Sequence, residues 1–170
     1  MPSRDAARSG AVVTEDVALC EDDVITKILS YIPDAEADKA QLAYADIVVA
    51  GGRGLGKPEN FRLVRELAEV LGAEYGGSRP VAQAGWVSGE RQIGQTGKTI
   101  RPRLYIAAGI SGAIQHRVGV EGADVIIAIN TDPKAPIFEF ATYAIVGDAL
   151  QILPALTEAL RERIGHAVAA

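Results

Sequence analysis

Short apolar runs that end in glycine or a polar residue recur along this chain, and helical stripes stand between several of them. Asp46-Ile-Val-Val-Ala50 runs into Gly51-Gly52, the pattern of a strand buried on both faces of a parallel sheet. Leu104–Ala108 (LYIAA), Val125–Asn130 (VIIAIN) and Tyr143–Val146 (YAIV) repeat it. Pro58 to Leu71 places apolar residues at Phe61, Val64, Leu67, Ala68 and Leu71, one stripe of a helix. Pro58 suits the first turn of that helix and Gly72 its C-terminal cap. A second helix is expected from Ser111 to about Val118, with Ser111 able to cap it. A closing amphipathic helix is expected over Leu150 to Ile164, with Pro154 tolerable only in its first turn. Strands alternating with helices, and no hairpin signal, predict an α/β fold with a doubly wound parallel sheet. Ligands in such sheets bind at the carboxyl ends of the strands, where this chain puts its glycines.

The first part of the chain is less regular. Residues 1–23 are polar and mixed, Val24 to Tyr31 (VITKILSY) reads as an edge strand or a short amphipathic piece, and Pro33 to Lys39 is acidic and turn-like. The expected organisation is therefore an N-terminal arm over residues 1–45 and one domain over 46–170.

Composition narrows the class. With 170 residues, 48% of them hydrophobic, the chain is one domain with enough apolar surface for a core, which excludes disorder. Seventeen Lys and Arg against twenty-two Asp and Glu leave a net charge of −5. A strongly basic nucleic-acid footprint is absent, whereas a small cationic pocket stays possible. Cys20 is alone and there are two His, so neither an internal disulfide nor a structural zinc site is expected, and no metal is assigned. No apolar run reaches the roughly 18 residues of a membrane span, and Met1-Pro2-Ser3-Arg4-Asp5 lacks the apolar core of a secretory signal. The expectation is a soluble protein of a reducing compartment, without membrane insertion or nucleic-acid partner.

Several segments carry candidate chemistry. Gly51-Gly-Arg-Gly-Leu-Gly-Lys57 fits the first seven positions of a nucleotide P-loop, but Pro58 replaces the hydroxyl residue that would hold magnesium. The dinucleotide fingerprint G-x-G-x-x-G fails too, because Lys57 stands three beyond Gly54. What survives is either an anion site, made of free backbone amides with Arg53 beside them, or a turn that merely links strand and helix. Arg79, after the glycine-rich turn Gly76-Gly77 and Ser78, is either a ligand contact or a solvated charge. The polar stretch Gln92-Ile-Gly-Gln-Thr-Gly97 can read a heterocycle edge through its amides and the Thr96 hydroxyl, or serve as a turn. In Gly109-Ile-Ser-Gly-Ala-Ile-Gln-His116, Gly112 and Ala113 leave the surface bare for a ligand, and Gln115 and His116 lie one turn on. Asn130 and Asp148 end successive strands, where they converge on one crevice or act as ordinary caps.

Taken together and in this order, VVAGGRGLG, Ser78-Arg79, QIGQTGK, LYIAAGISGAIQH, IIAIN-TDPKAPIF and YAIVGD resemble the C-terminal, FAD-binding domain of the electron transfer flavoprotein alpha subunit. The resemblance covers roughly residues 46–165. It implies a Rossmann-like sheet of the deoxyhypusine-synthase type, with FAD bound in an extended form. By position it assigns Arg53, Ser78 and Arg79 to the flavin site. Ile93, Gly94, Gln95 and Thr96 follow the isoalloxazine edge, with Thr96 near N5. Ser111, Gly112, Ala113, Ile114, Gln115 and His116 contact flavin and phosphates, with His116 on the O2 side. Asn130, Asp148 and Ala149 hold the ribose and adenine end; leucine is common in the family where Ala149 stands.

The same resemblance implies an electron carrier rather than a stand-alone catalyst, so no catalytic residue is assigned. A guanidinium, an imidazole and a helix N-terminus near the ring favour the negative charge that a one-electron carrier must stabilise on its flavin. Implied partners are an electron transfer flavoprotein beta subunit, acyl-CoA or related dehydrogenases as donors, and a membrane quinone oxidoreductase as acceptor; some family members bifurcate electrons from NADH. The family's alpha subunits carry a preceding domain that joins the beta subunit, and here only about 45 residues precede the glycine loop. The expectation is an excised FAD domain, a proteolytic remnant or a truncated relative, in a bacterial cytoplasm rather than a mitochondrial matrix. On the residues alone, a nicotinamide-dependent oxidoreductase and a nucleotide-binding module without redox role stay open.

Overall fold

In the computed structural model the chain divides into two units, Met1–Ile32 and Pro33–Ala170. The structure describes residues 10–16 of the first and 41–168 of the second, with side chains to residue 164. Residues 10–16 form neither helix nor strand. The expected strand or amphipathic piece at Val24 to Tyr31 and the turn at Pro33 to Lys39 lie outside the described residues.

The second unit is built on six strands: β1 (Ile47–Gly51), β2 (Glu74–Ser78), β3 (Gln92–Ile93), β4 (Leu104–Ala108), β5 (Val125–Asn130) and β6 (Tyr143–Val146). Every pairing is parallel and the order across the sheet is β3-β2-β1-β4-β5-β6. The helices are α1 (Arg62–Leu71), α2 (Arg79–Gln83), α3 (Ile114–Arg117) and α4 (Ala149–Val168). The α/β fold with a Rossmann-like parallel sheet is the one the sequence pattern predicts.

Alternation along the strands sorts the core onto two faces. Val49, Ile106, Ala108 and Ile129 point to one face, where α1 supplies Leu63, Val64, Leu67 and Ala68 and α4 supplies Leu153. Val48, Ala50, Tyr105, Ala107, Ile126 and Ala128 point to the other. That second face is covered mainly by irregular chain, through Ile100, Ile110, Val120, Ala135 and Ile137. Leu42 is also buried there, so the packed domain begins before the boundary expected at residue 46.

Four local expectations change. Tyr143–Val146 forms a strand, but at the edge of the sheet all four of its residues are exposed and not buried. Gly76-Gly77 is not a turn but the interior of β2, because its neighbours leave no room for side chains. A Cβ on Gly76 would come within 2.5 Å of Ile93 Cδ1, and one on Gly77 within 2.6 Å of Val81 Cγ2. The helix expected from Ser111 begins at Ile114 and lasts four residues, with Ala113 as its N-cap, so Ser111 caps nothing. Pro154 is the sixth residue of α4, beyond its first turn. It is exposed, so water can take the carbonyl that the missing N–H leaves free. Pro58–Phe61 forms a 3-10 turn leading into α1, and Gly72, with φ 60°, closes α1 in the left-handed conformation that its sequence position predicts. No described helix is long and apolar enough to cross a membrane.

Candidate functional site

Strand order reverses between β1 and β4, and the chain leaves these two neighbours in opposite directions across the sheet. Beyond their carboxyl ends the departing segments diverge and open the crevice expected of such folds. Here it is a cavity of about 480 Å³, lined by Ser78 at the end of β2, Gln92 and Ile93 of β3, Asn130 at the end of β5 and the segments that follow β1, β2, β3 and β4.

The two glycine loops at the floor are stitched to each other. Gly52 N donates to Ala108 O and Gly54 N to Gly109 O, each at 2.9 Å. The approach is so close that a Cβ on Gly54 would sit 2.6 Å from Gly109 Cα. The remaining amides turn inward: Leu55 N donates to Gly52 O, Gly56 N to Arg53 O and Lys57 N to Leu55 O. Of the two readings of Gly51–Lys57, the structure therefore favours a linking turn. Its other amides are spent within the protein, and Arg53 N has no acceptor among the described residues.

Free amides lie on the loop after β4 instead. The carbonyls of this segment are held from behind: Gly109 O by Gly54 N, Ile110 O by Asn130 Nδ2 at 2.9 Å, and Ser111 O by Ile137 N at 2.9 Å. The amides of Ile110, Ser111, Gly112, Ala113, Ile114 and Gln115 have no partner among the described residues. Gly109 and Gly112 make the arrangement possible, with φ of 65° and 82°, and Gly112 lies against the Ile137 backbone with no space for a side chain. A run of amides with the carbonyls turned away is a concentration of positive partial charge suited to an anion.

Formal charge has the same sign. Arg53 and Arg79 both line the cavity, and no Asp or Glu does among the described residues, although the chain as a whole carries −5. With its amide turned to accept, Gln83 holds Arg79 through Nε at 3.1 Å and Nη2 at 3.3 Å. Also on the cavity wall, Gln92 Nε2 donates to Thr96 Oγ1 at 2.9 Å, which leaves the Thr96 hydroxyl proton available to another acceptor. The segment carrying Thr96 is docked on α3, through Gln95 N donating to Gln115 O at 2.7 Å and through a backbone contact between Gly94 and Gly119.

His116 also lines the cavity yet is 6% exposed. Burial pushes its pKa down to about 4, while the Ile93 main chain pulls weakly the other way, so the ring is neutral at pH 7. Nε2 lies 2.7 Å from the hydroxyl of Tyr105, and Nδ1 is buried without a hydrogen-bond partner among the described residues. Desolvation, and not a helix dipole, is the cause of the neutral ring, since α3 is one turn long and His116 is its third residue.

A family described as "Electron transfer flavoprotein FAD-binding domain" matches residues 41–121. Protein FixB of Azorhizobium caulinodans is 67% identical over 164 residues, covering 96% of this chain and 44% of that protein. Protein FixB of Azotobacter vinelandii is 64% identical over 166 residues, with 98% and 46% covered. The electron transfer flavoprotein subunit alpha of Thermoanaerobacterium thermosaccharolyticum is 50% identical over 159 residues, with 94% and 48% covered. The chain belongs to the electron transfer flavoprotein alpha family, as its FAD-binding domain. It spans somewhat under half the length of these curated relatives.

Within this FAD-binding domain, twelve of the sixteen residues expected at the cofactor site share the cavity wall: Arg53, Ser78, Arg79, Ile93, Gly94, Gln95, Thr96, Ser111, Ala113, Gln115, His116 and Asn130. Four do not line it. Gly112 is packed on Ile137, Ile114 is 61% exposed on α3, Ala149 is buried at the start of α4, and Asp148 caps that helix. Gly54, Pro80, Gln92, Gly109 and Ile110 line the cavity without having been expected there. Gln92 was legible as part of the polar stretch; Gly54 and Gly109 take their place through their mutual contact, which only the folded sheet creates.

Proposed function

We propose that this cavity is the FAD site, and that the protein serves as the flavin-carrying part of an electron transfer flavoprotein. The observation that carries the reading is the pairing of two kinds of unmet polar group in one cavity with no acid among its described lining residues. The amides of Ile110 to Gln115 suit the phosphates, and the buried, unpartnered Nδ1 of His116 suits a polar atom of the ring. FAD, when bound, supplies the ability to accept and release electrons. The chain's own residues bind, orient and polarise it. Arg53 and Arg79 bring positive charge to the site, which favours any step that adds an electron. Thr96 offers a hydroxyl donor fixed by Gln92, and Ile93, Ile110 and Pro80 supply apolar wall that excludes water from part of the site.

In this reading electrons arrive from dehydrogenases of the acyl-CoA or a related class and leave towards a quinone oxidoreductase, with a beta subunit as partner. The edge strand β6 supports a partner. All four of its residues are exposed, with Tyr143 at 61% and Val146 at 58%, whereas parallel strands are ordinarily covered on both faces. A nicotinamide cofactor is the weaker reading, because the Gly51–Lys57 loop has spent its amides within the protein.

The test is reconstitution of the purified chain with FAD, removal of excess, and identification of what heat releases. FAD in about one-to-one ratio, not displaced by FMN or NAD, is the expected result. A folded chain that repeatedly fails to take up FAD overturns the reading.

A further inference from the structure

Tyr105 stands in the middle of β4 with no exposed surface, and its hydroxyl meets His116 Nε2 at 2.7 Å. It has no other hydrogen-bond partner among the described residues. A neutral imidazole carries one proton, on Nε2 or on Nδ1. With the proton on Nε2, the hydroxyl must accept, and two buried groups go unmet: the phenol's own proton and the Nδ1 lone pair. With the proton on Nδ1, the hydroxyl donates to Nε2, and only the Nδ1–H lacks a hydrogen bond, with the Ile93 main chain pulling weakly on the ring's proton. Each unmet buried polar group is costly, so the second arrangement is favoured. Burial works in the same direction, since it holds Tyr105 as a hydroxyl and His116 as a neutral ring.

We propose that Tyr105 is a positioning residue that fixes His116 as the Nδ1–H tautomer, and so presents the cavity with a neutral hydrogen-bond donor for an acceptor atom of the ligand. Such a donor selects a ring that offers a carbonyl oxygen or an unprotonated nitrogen, and it cannot serve a ligand that offers only a donor there. The ligand half of the proposal rests on the reading of the cavity as a flavin site; the tautomer half does not.

The experiment separates the two halves. Nitrogen-15 spectra of the histidine rings are recorded on the ligand-free chain near pH 7, with His116→Gln identifying the His116 signals against those of His166. A protonated Nδ1 and an unprotonated Nε2 on His116 are expected; a proton on Nε2 overturns the proposal. Tyr105→Phe removes one oxygen and leaves the ring, and it should shift His116 towards the Nε2–H form. An unchanged tautomer in a folded Phe variant shows that Tyr105 does not set it, which also overturns the proposal. FAD titrations of both proteins then read the ligand half, where about tenfold weaker binding by the Phe variant is expected. Equal affinity despite a changed tautomer removes the donor role. A wild-type chain that shows the expected tautomer but binds no FAD overturns the ligand half together with the flavin reading, and leaves the tautomer assignment standing.

Discussion

Gly54 and Gly109 lie back to back, the amide of the first donating to the carbonyl of the second at 2.9 Å, and this contact joins the loops that leave β1 and β4. The floor of the cavity is therefore backbone on backbone. A methyl group at Gly54 would sit 2.6 Å from Gly109 Cα, and main chain cannot swing aside as a side chain can.

Gly54→Ala should cost about 2–3 kcal/mol, in the range of core overpacking, and should weaken FAD binding by spreading the loops. Gly72 is the control. Its φ of 60° and ψ of 32° are left-handed, but a Cβ there would meet nothing within 4 Å, so Gly72→Ala should cost only the left-handed strain of about 1–2 kcal/mol. Chemical denaturation of the two variants checks the order. Gly72→Ala as damaging as Gly54→Ala would mean that the contact between the loops costs no more than left-handed backbone strain.

The strands legible in the sequence were those built on apolar runs: β1, β4, β5 and β6 fall where Ile, Val, Leu and Ala run together. β2 and β3 were hidden for a physical reason. Glu74-Tyr-Gly-Gly-Ser78 has no apolar run because its buried positions are filled from outside by Ile93, Val81 and Val87. Gln92-Ile93 is a two-residue strand in a polar stretch. The glycine loop misled in the other direction. Its spacing hinted at a cradle of free amides, yet hydrogen-bond direction is not written in residue type, and the unpaired amides lie instead after β4. Residue types did mark the cavity wall, because arginine, amides and histidine at strand ends are poorly explained as core.

Arg79 is exposed at the start of α2 and shares the cavity with Arg53, with no carboxylate among the described wall residues to offset either. Arg79→Ala should weaken FAD binding about tenfold, well below the unscreened value for a close charge pair, because water reaches the guanidinium. It should also lower the reduction potential of the bound flavin, and Arg79→Lys should recover part of both effects, keeping the charge without the planar fork. Flavin titrations at low and high salt, with redox titration of each variant, read the outcome. An alanine variant with unaltered affinity and potential would place Arg79 among the scaffold residues.

Asp148 is accounted for by α4. Its Oδ1 accepts from Leu150 N at 2.9 Å, and its carbonyl accepts from Gln151 N and Ile152 N. Asp148→Ala should cost about 1 kcal/mol, as loss of a helix N-cap does, and Asp148→Asn should cost much less. Thermal denaturation distinguishes the two. Equal losses from Ala and Asn would point to the negative charge, and not the cap, as what the site requires.

Buried His116 sets a pH dependence whose sign follows from its environment. Its folded-state value of about 4 lies below the ordinary 6.5, so between these two values the unfolded chain binds a proton that the folded chain does not. Stability from this residue is fully present above about pH 6.5 and is lost as pH falls towards 4. The loss is about 3 kcal/mol at most, taking 1.36 kcal/mol for each unit of difference. Carboxylates add their own acid dependence in the lower part of the window, so the informative quantity is the difference between wild type and His116→Gln. Unfolding free energies at closely spaced pH values from 7.5 to 5 should fall more steeply for wild type, because glutamine has no proton to gain. The ligand-free chain is the right material, since a bound flavin would add its own linkage. Curves that run parallel would mean that the folded protein accommodates a charged imidazole. The neutral donor ascribed to His116 would then fail with it.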